Sequence, residues 1–124
     1  MAAQKILLIE DDRFIRDMYT TVLSKAGFDV KVAINGSDAL AKAQAFSPDV
    51  LLIDIMIPEK SGLELLKIFR NDPKYNSINA KMIILTNISA DDTAEQVKAL
   101  KADGYIVKAD IMPSELVERI KSLA

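Results

Sequence analysis

The sequence predicts a single α/β domain with a parallel sheet covered by helices on both faces, and three observations carry that prediction. Short apolar runs alternate with longer amphipathic stretches five times over. No long linker, internal repeat or low-complexity segment interrupts the alternation. With 124 residues, half of them hydrophobic, the chain is long enough for one real core, and the domain is expected to span residues 1–124.

Each element has its own signal. Lys5-Ile6-Leu7-Leu8-Ile9 is a continuous apolar run and reads as a buried strand. Ile15, Met18, Val22, Leu23 and Ala26 recur at helical spacing, and Gly27 ends that helix. Phe28 to Ala33 alternates apolar and polar, as a strand near a sheet edge does, with Lys31 discouraging stray pairing. A second helix follows Asn35-Gly36 and stops before Ser47-Pro48. Val50 to Ile53 is a third strand, and Leu63, Leu66 and Phe69 mark a third helix. Residues 71 to 80 are rich in turn formers and read as a loop. Met82 to Leu85 is a fourth strand. Ser89 with Asp92 resembles a capping box for a helix using Ala94, Val97 and Leu100. Tyr105-Ile106-Val107 is the fifth strand, and Leu116, Val117, Ile120 and Leu123 line a last helix with Pro113 in its first turn.

Composition excludes much chemistry. Cysteine and histidine are both absent, so disulfides, Cys/His zinc sites, thiol nucleophiles and histidine bases are ruled out. Sixteen basic and eighteen acidic residues are well mixed, with a net charge of −2, which predicts no direct contact with nucleic acid or an anionic membrane. No run suits a membrane span or a signal peptide, so a cytoplasmic location is expected.

The remaining polar chemistry gathers on one rim. In open α/β sheets ligands sit beyond the carboxyl ends of the strands. Glu10, Asp11 and Asp12 follow the first strand, Asp54 ends the third, Thr86 and Asn87 follow the fourth, and Lys108 follows the fifth. Carboxylates brought together need a cation, and an oxygen-only set favours Mg²⁺. Mg²⁺ pairs with phosphate oxygens, and a carboxylate can itself accept a phosphoryl group. Thr86 and Lys108 can then bind its oxygens. Taken singly, Asp12 reads equally well as a helix N-cap, and Tyr105 as half-buried packing.

Ile9-Glu10-Asp11-Asp12, Asp54-Ile55-Met56-Ile57-Pro58 through Gly62, Leu85-Thr86 and Gly104-Tyr105-Ile106-Val107-Lys108 together resemble the receiver domains of two-component response regulators. The likeness spans essentially the whole chain. It implies a flavodoxin-like (βα)5 fold with strand order 2-1-3-4-5. It implies a phosphoacceptor at Asp54, with Mg²⁺ held by Asp11, Asp54 and the backbone carbonyl of Met56, and by Glu10 through water. Thr86 and Lys108 would bind the phosphoryl group, and Tyr105 would turn with Thr86 on activation, changing the surface of the fourth helix, fifth strand and fifth helix. The implied partners are a sensor histidine kinase or phosphotransfer protein and a downstream protein target. A phosphorylation-dependent homodimer is compatible with the same scheme. Such a domain assists its own phosphorylation and slow dephosphorylation, but is a switch rather than an enzyme.

The sequence departs from the family at three places. Lys108 is followed by Ala109 rather than proline, and a cis bond there costs about 3–4 kcal/mol, so a trans bond is expected. The stretch from Ala109 to Pro113 is one residue longer than usual, which predicts a re-routed loop with Lys108 still reaching the site. It also puts Met112, whose side chain cannot cap, at the start of the last helix. Asn87 stands where a very small residue is usual, and Met56 and Ile88 offer apolar neighbours that cannot orient a hydrolytic water, so slow self-dephosphorylation is expected. These departures keep open a phosphorylation-independent pseudo-receiver that only recruits partners. An aspartate-nucleophile phosphatase of the haloacid dehalogenase type is disfavoured, because it wants an Asp-x-Asp pair and Asp54 is followed by Ile55-Met56.

Overall fold

The computed structural model describes residues 4–55, 57–75, 77–86, 102–108 and 112–123. Five strands, β1 (Lys5–Ile9), β2 (Asp29–Ala33), β3 (Val50–Asp54), β4 (Lys81–Thr86) and β5 (Gly104–Val107), form one sheet in the order β2-β1-β3-β4-β5. All four pairings are parallel. Three helices, α1 (Arg13–Lys25), α2 (Gly36–Phe46) and α3 (Gly62–Asn71), and a C-terminal helix (Pro113–Leu123) complete the described fold. The predicted helix with Ser89, Asp92, Ala94, Val97 and Leu100 lies outside the described residues.

Side-chain alternation along the strands splits the core in two. Leu7, Ile9, Leu51, Ile53, Met82 and Ile84 face α2 and α3, packing on Ala39, Ala43, Leu65, Leu66 and Phe69. Ile6, Leu8, Val50, Leu52, Ile83 and Leu85 face α1 and the C-terminal helix, meeting Tyr19, Leu23, Leu116 and Ile120. Both faces are covered, which is why β1, β3 and β4 are apolar between their end residues. β2 is the edge, with Lys31 exposed as expected.

The helix ends follow ordinary capping chemistry. Asp12, Asn35 and Ser61 each accept a hydrogen bond from a backbone N–H three residues on, capping α1, α2 and α3. Gly27 takes φ 97°, the left-handed conformation that suits glycine after a helix. At the C-terminal helix Met112 cannot cap with its side chain, but Glu115 reaches back to accept from the Met112 N–H at 3.0 Å. One expectation needs correction. In α1 the buried residues are Tyr19 and Leu23, while Met18 and Ala26 are exposed. In the 71–80 loop, Tyr75 is buried edge-on against Phe69, with ring centroids 6.0 Å apart.

Candidate functional site: an acidic crevice with one buried lysine

The strand order reverses between β1 and β3: the chain runs outward from β1 to β2, and from β3 the other way to β4 and β5. The loops leaving β1 and β3 therefore diverge and open a crevice at the carboxyl edge. Glu10 and Asp11 enter it from β1, Asp54 from the last position of β3, Thr86 from the last position of β4, and Lys108 from just beyond β5. The register places Asp54 opposite Leu85 and Thr86 opposite Val107, so the strand ends stand level.

Polar groups are buried here as nowhere else among the described residues: Glu10 is 1% exposed, Asp54 4% and Thr86 1%. The Lys108 side chain, 6% exposed, donates from Nζ to Glu10 Oε2 at 2.9 Å and to Asp54 Oδ2 at 3.0 Å. Lys108 thus points into the site, as predicted. Burial pushes the Glu10 carboxyl up to about 7, with the neighbouring Asp54 adding to the rise and Lys108 opposing it. Burial on its own lowers the Lys108 ammonium, but its hydrogen bonds to Glu10 and Asp54 outweigh this and hold its pKa above the ordinary value. Glu10, Asp11 and Asp54 each offer a carboxylate oxygen within 4.8 Å of the others. Three oxygen donors and no softer ligand suit a hard cation such as Mg²⁺.

Several residues outside the expected set hold this arrangement. Arg16 Nη1 donates to the carbonyls of Glu10 and Asp11, both at 3.2 Å, clamping the turn that carries the acid pair. Its position one turn into α1 after the Asp12 cap was the available sequence signal. Asp103 Oδ2 accepts from the Met82 N–H at 2.7 Å and from Arg70 Nη2 at 2.9 Å, fixing where β5 begins and so where Lys108 emerges. The Asp54–Gly62 loop leans on the start of α2: Gly36 N donates to the Pro58 carbonyl at 3.3 Å and Ser37 N to Glu59 Oε1 at 3.0 Å. At its far end Gly62 N donates to the Ile55 carbonyl at 2.9 Å.

Of the expected site residues, Glu10, Asp11, Asp54, Thr86 and Lys108 come together at this edge. Asp12 acts as the α1 cap, its Oδ1 accepting from Ile15 N at 3.1 Å. Tyr105 lies on β5 and is 37% exposed. Met56, Asn87, Ile88 and the Lys108–Ala109 bond with its following loop lie outside the described residues. No helix among the described residues is long and apolar enough to cross a membrane.

Comparison with known proteins agrees with this geometry. Residues 6–121 match the model of the response regulator receiver domain. The DNA-binding response regulator MtrA of Mycolicibacterium smegmatis is 34% identical over 121 residues, covering 96% of this chain and 50% of its own. The phosphate regulon transcriptional regulatory protein PhoB of Pseudomonas aeruginosa is 33% identical over 123 residues, covering 99% of this chain and 52% of its own. The chain thus spans about half the length of these relatives. Among solved structures, the chemotaxis response regulator CheY4 of Vibrio cholerae superposes with a TM-score of 0.88 at 30% identity, covering 98% of this chain and 99% of its own. The chain belongs to the response regulator receiver domains, a family of phosphorylation switches that bind Mg²⁺ in an acidic pocket and interact with histidine kinases.

Proposed function

We propose that Asp54 is the phosphoacceptor of this receiver domain, and that Glu10, Asp11, Thr86 and Lys108 serve it. The observation that carries the reading is the convergence of three carboxylates within 4.8 Å on a buried lysine that already contacts two of them. Asp11, Asp54 and the Met56 carbonyl would hold Mg²⁺, with Glu10 acting through water. The bound ion supplies charge neutralisation between the carboxylates and the incoming phosphoryl oxygens.

The chain's own residues do the rest. An Asp54 carboxylate oxygen forms a bond to phosphorus as the P–N bond of a kinase phosphohistidine breaks, and the electron pair stays on the imidazole nitrogen. Lys108 leaves Oδ2 to neutralise a phosphoryl oxygen, and the Thr86 hydroxyl donates to another. The added charge draws both inward and, with Tyr105 turning beside Thr86, alters the surface running from β5 to the C-terminal helix. The cognate donor is a histidine kinase or phosphotransfer protein, and the readout is a protein target or a second copy of the chain. The domain assists its own phosphorylation without being an enzyme in the turnover sense, and its setting is the cytoplasm.

The test is incubation with acetyl phosphate and Mg²⁺, wild type beside Asp54→Asn. One acyl phosphate, labile to base and to hydroxylamine, is expected in the wild type and none in the variant. Equal labelling of both overturns Asp54 as acceptor. Absence of label together with absence of saturable beryllofluoride shifts at Asp54 and Thr86 would make the domain a pseudo-receiver.

A further inference from the structure

Beneath the three charged groups lies an apolar layer with one unusual member. Leu52 stands two positions before Asp54 in β3, so strand alternation puts the two on the same face of the sheet, and Leu8 and Ile106 belong to the same apolar layer. The layer they form is completed by Tyr19 of α1, 3% exposed, together with Leu116 and Ile120 of the C-terminal helix. Long side chains on a helix lean toward its N-terminus. The N-terminus of α1 follows directly on Asp11 and Asp12, so the phenol leans from the apolar layer toward the acid pair.

We propose that Tyr19 is a positioning residue for Lys108: its ring forms the inner wall that confines the lysine side chain and keeps the ammonium on Glu10 and Asp54. The hydroxyl lies in the field of all three charged groups: burial raises the Tyr19 pKa first, and Lys108, Glu10 and Asp54 each act on it as well. Two part-buried carboxylate contacts at 2.9 and 3.0 Å require a lysine stem with little freedom, and a rigid aromatic wall restricts it more than an aliphatic one does. The inference rests on the reading of Asp54 and Lys108 as the phosphoryl-handling pair, and it concerns geometry that exists before any phosphoryl group arrives.

The test uses the full chain as wild type, Tyr19→Leu, Tyr19→Phe, Lys108→Ala and the double variant Tyr19→Leu/Lys108→Ala. Phe69→Leu, in the core on the opposite face, controls for general loss of stability. Competitive acetylation with acetic anhydride, read at Lys108 by mass spectrometry, reports how well the ammonium is held. Acetyl phosphate labelling with Mg²⁺ reports function. In Tyr19→Leu the acetylation of Lys108 should rise several-fold and phosphorylation should slow by about ten-fold, as for a misplaced catalytic group. Tyr19→Phe should restore both, Phe69→Leu should change neither, and the double variant should be no slower than Lys108→Ala alone. Lys108 acetylation in Tyr19→Leu at the wild-type rate, or losses that add in the double variant, would overturn the proposal. If the wild type takes no label, the receiver reading fails, and the acetylation experiment still decides the role of Tyr19.

Discussion

Gly62→Ala is expected to damage the site without touching a charged group. A Cβ at this position would overlap the carbonyl oxygen of Asp54 and would stand 2.7 Å from the Ile55 Cα and 2.9 Å from the Asp54 carbonyl carbon. Every one of these neighbours is backbone, so no side chain can swing aside. Ordinary contact begins at 3.4 Å, so against the Ile55 Cα alone the two segments must part by 3.4 − 2.7, about 0.7 Å. The separation falls on the peptide that ends β3, because α3 is pinned by Leu65, Leu66 and Phe69 in the core. Overpacking of this kind costs about 1–3 kcal/mol, which for a domain this size lowers Tm by roughly 3–15 °C. A displacement approaching 1 Å at Asp54 costs on the order of ten- to a hundred-fold in phosphorylation rate. The assay is acetyl phosphate labelling with Mg²⁺, run beside thermal unfolding. Gly36→Ala is the comparison: its Cβ would meet Lys60 Cβ, Cγ and Cδ at 3.0, 3.1 and 3.3 Å, contacts that a shift of a few tenths of an ångström relieves, so its rate should fall far less than that of Gly62→Ala. Wild-type labelling by Gly62→Ala, or an equal loss in Gly36→Ala, would refute the reasoning.

Other expectations follow from the same geometry. With Mg²⁺ chelated, Glu10 stays protonated in the folded protein up to about 7 but ionises near 4.5 once unfolded, so its contribution is intact below 4.5 and is lost as pH rises through 7. Wild type should therefore lose on the order of 3 kcal/mol relative to Glu10→Gln between pH 4.5 and 7 in urea melts, and parallel pH slopes would contradict this. For the same reason Mg²⁺ should bind more weakly as pH falls below 7, with proton release seen by calorimetry in buffers of different ionisation enthalpy. Asp12→Ala should cost about 1 kcal/mol of stability through the lost α1 cap while leaving the labelled residue unchanged. Phosphorylated wild type should lose its label slowly without added phosphatase, and placing an acid or amide at Met56 should speed the loss; rapid loss from the wild type would count against an apolar flank.

The parts of this molecule that could be read in advance are those where one residue's chemistry decides. The interiors of β1, β3 and β4 had to be apolar because both faces are covered, and Asn35 and Gly27 sit where helix ends need them. The acid pair, Asp54, Thr86 and Lys108 were legible as a meeting of polar groups because a polar residue at the end of an apolar run is a conspicuous break. The errors came where several residues compete. In α1, Phe14, Ile15, Met18, Tyr19, Val22 and Leu23 spread over about half the helix circumference, and periodicity gives the arc without its centre. The sheet buries the Tyr19–Leu23 side and leaves Phe14 and Met18 exposed. Tyr75 was hidden among turn formers because its partner, Phe69, belongs to the preceding helix. Asp103 and Glu59 act on backbone groups, which leave no signature in side-chain pattern, and Arg16 was signalled only by its place one turn after the Asp12 cap.

The two bonds made by Lys108 Nζ join residues 98 and 54 positions apart in the chain. Closing loops of that length is an entropic cost that only the finished sheet repays. A fragment ending before β5 lacks Lys108, so on a growing polypeptide Glu10 and Asp54 form before this counter-charge reaches them. With Asp54 and Lys108 in the roles proposed above, a chain truncated before β5 is expected to take no label from a phosphodonor, so the switch would become competent only when β5 joins β4.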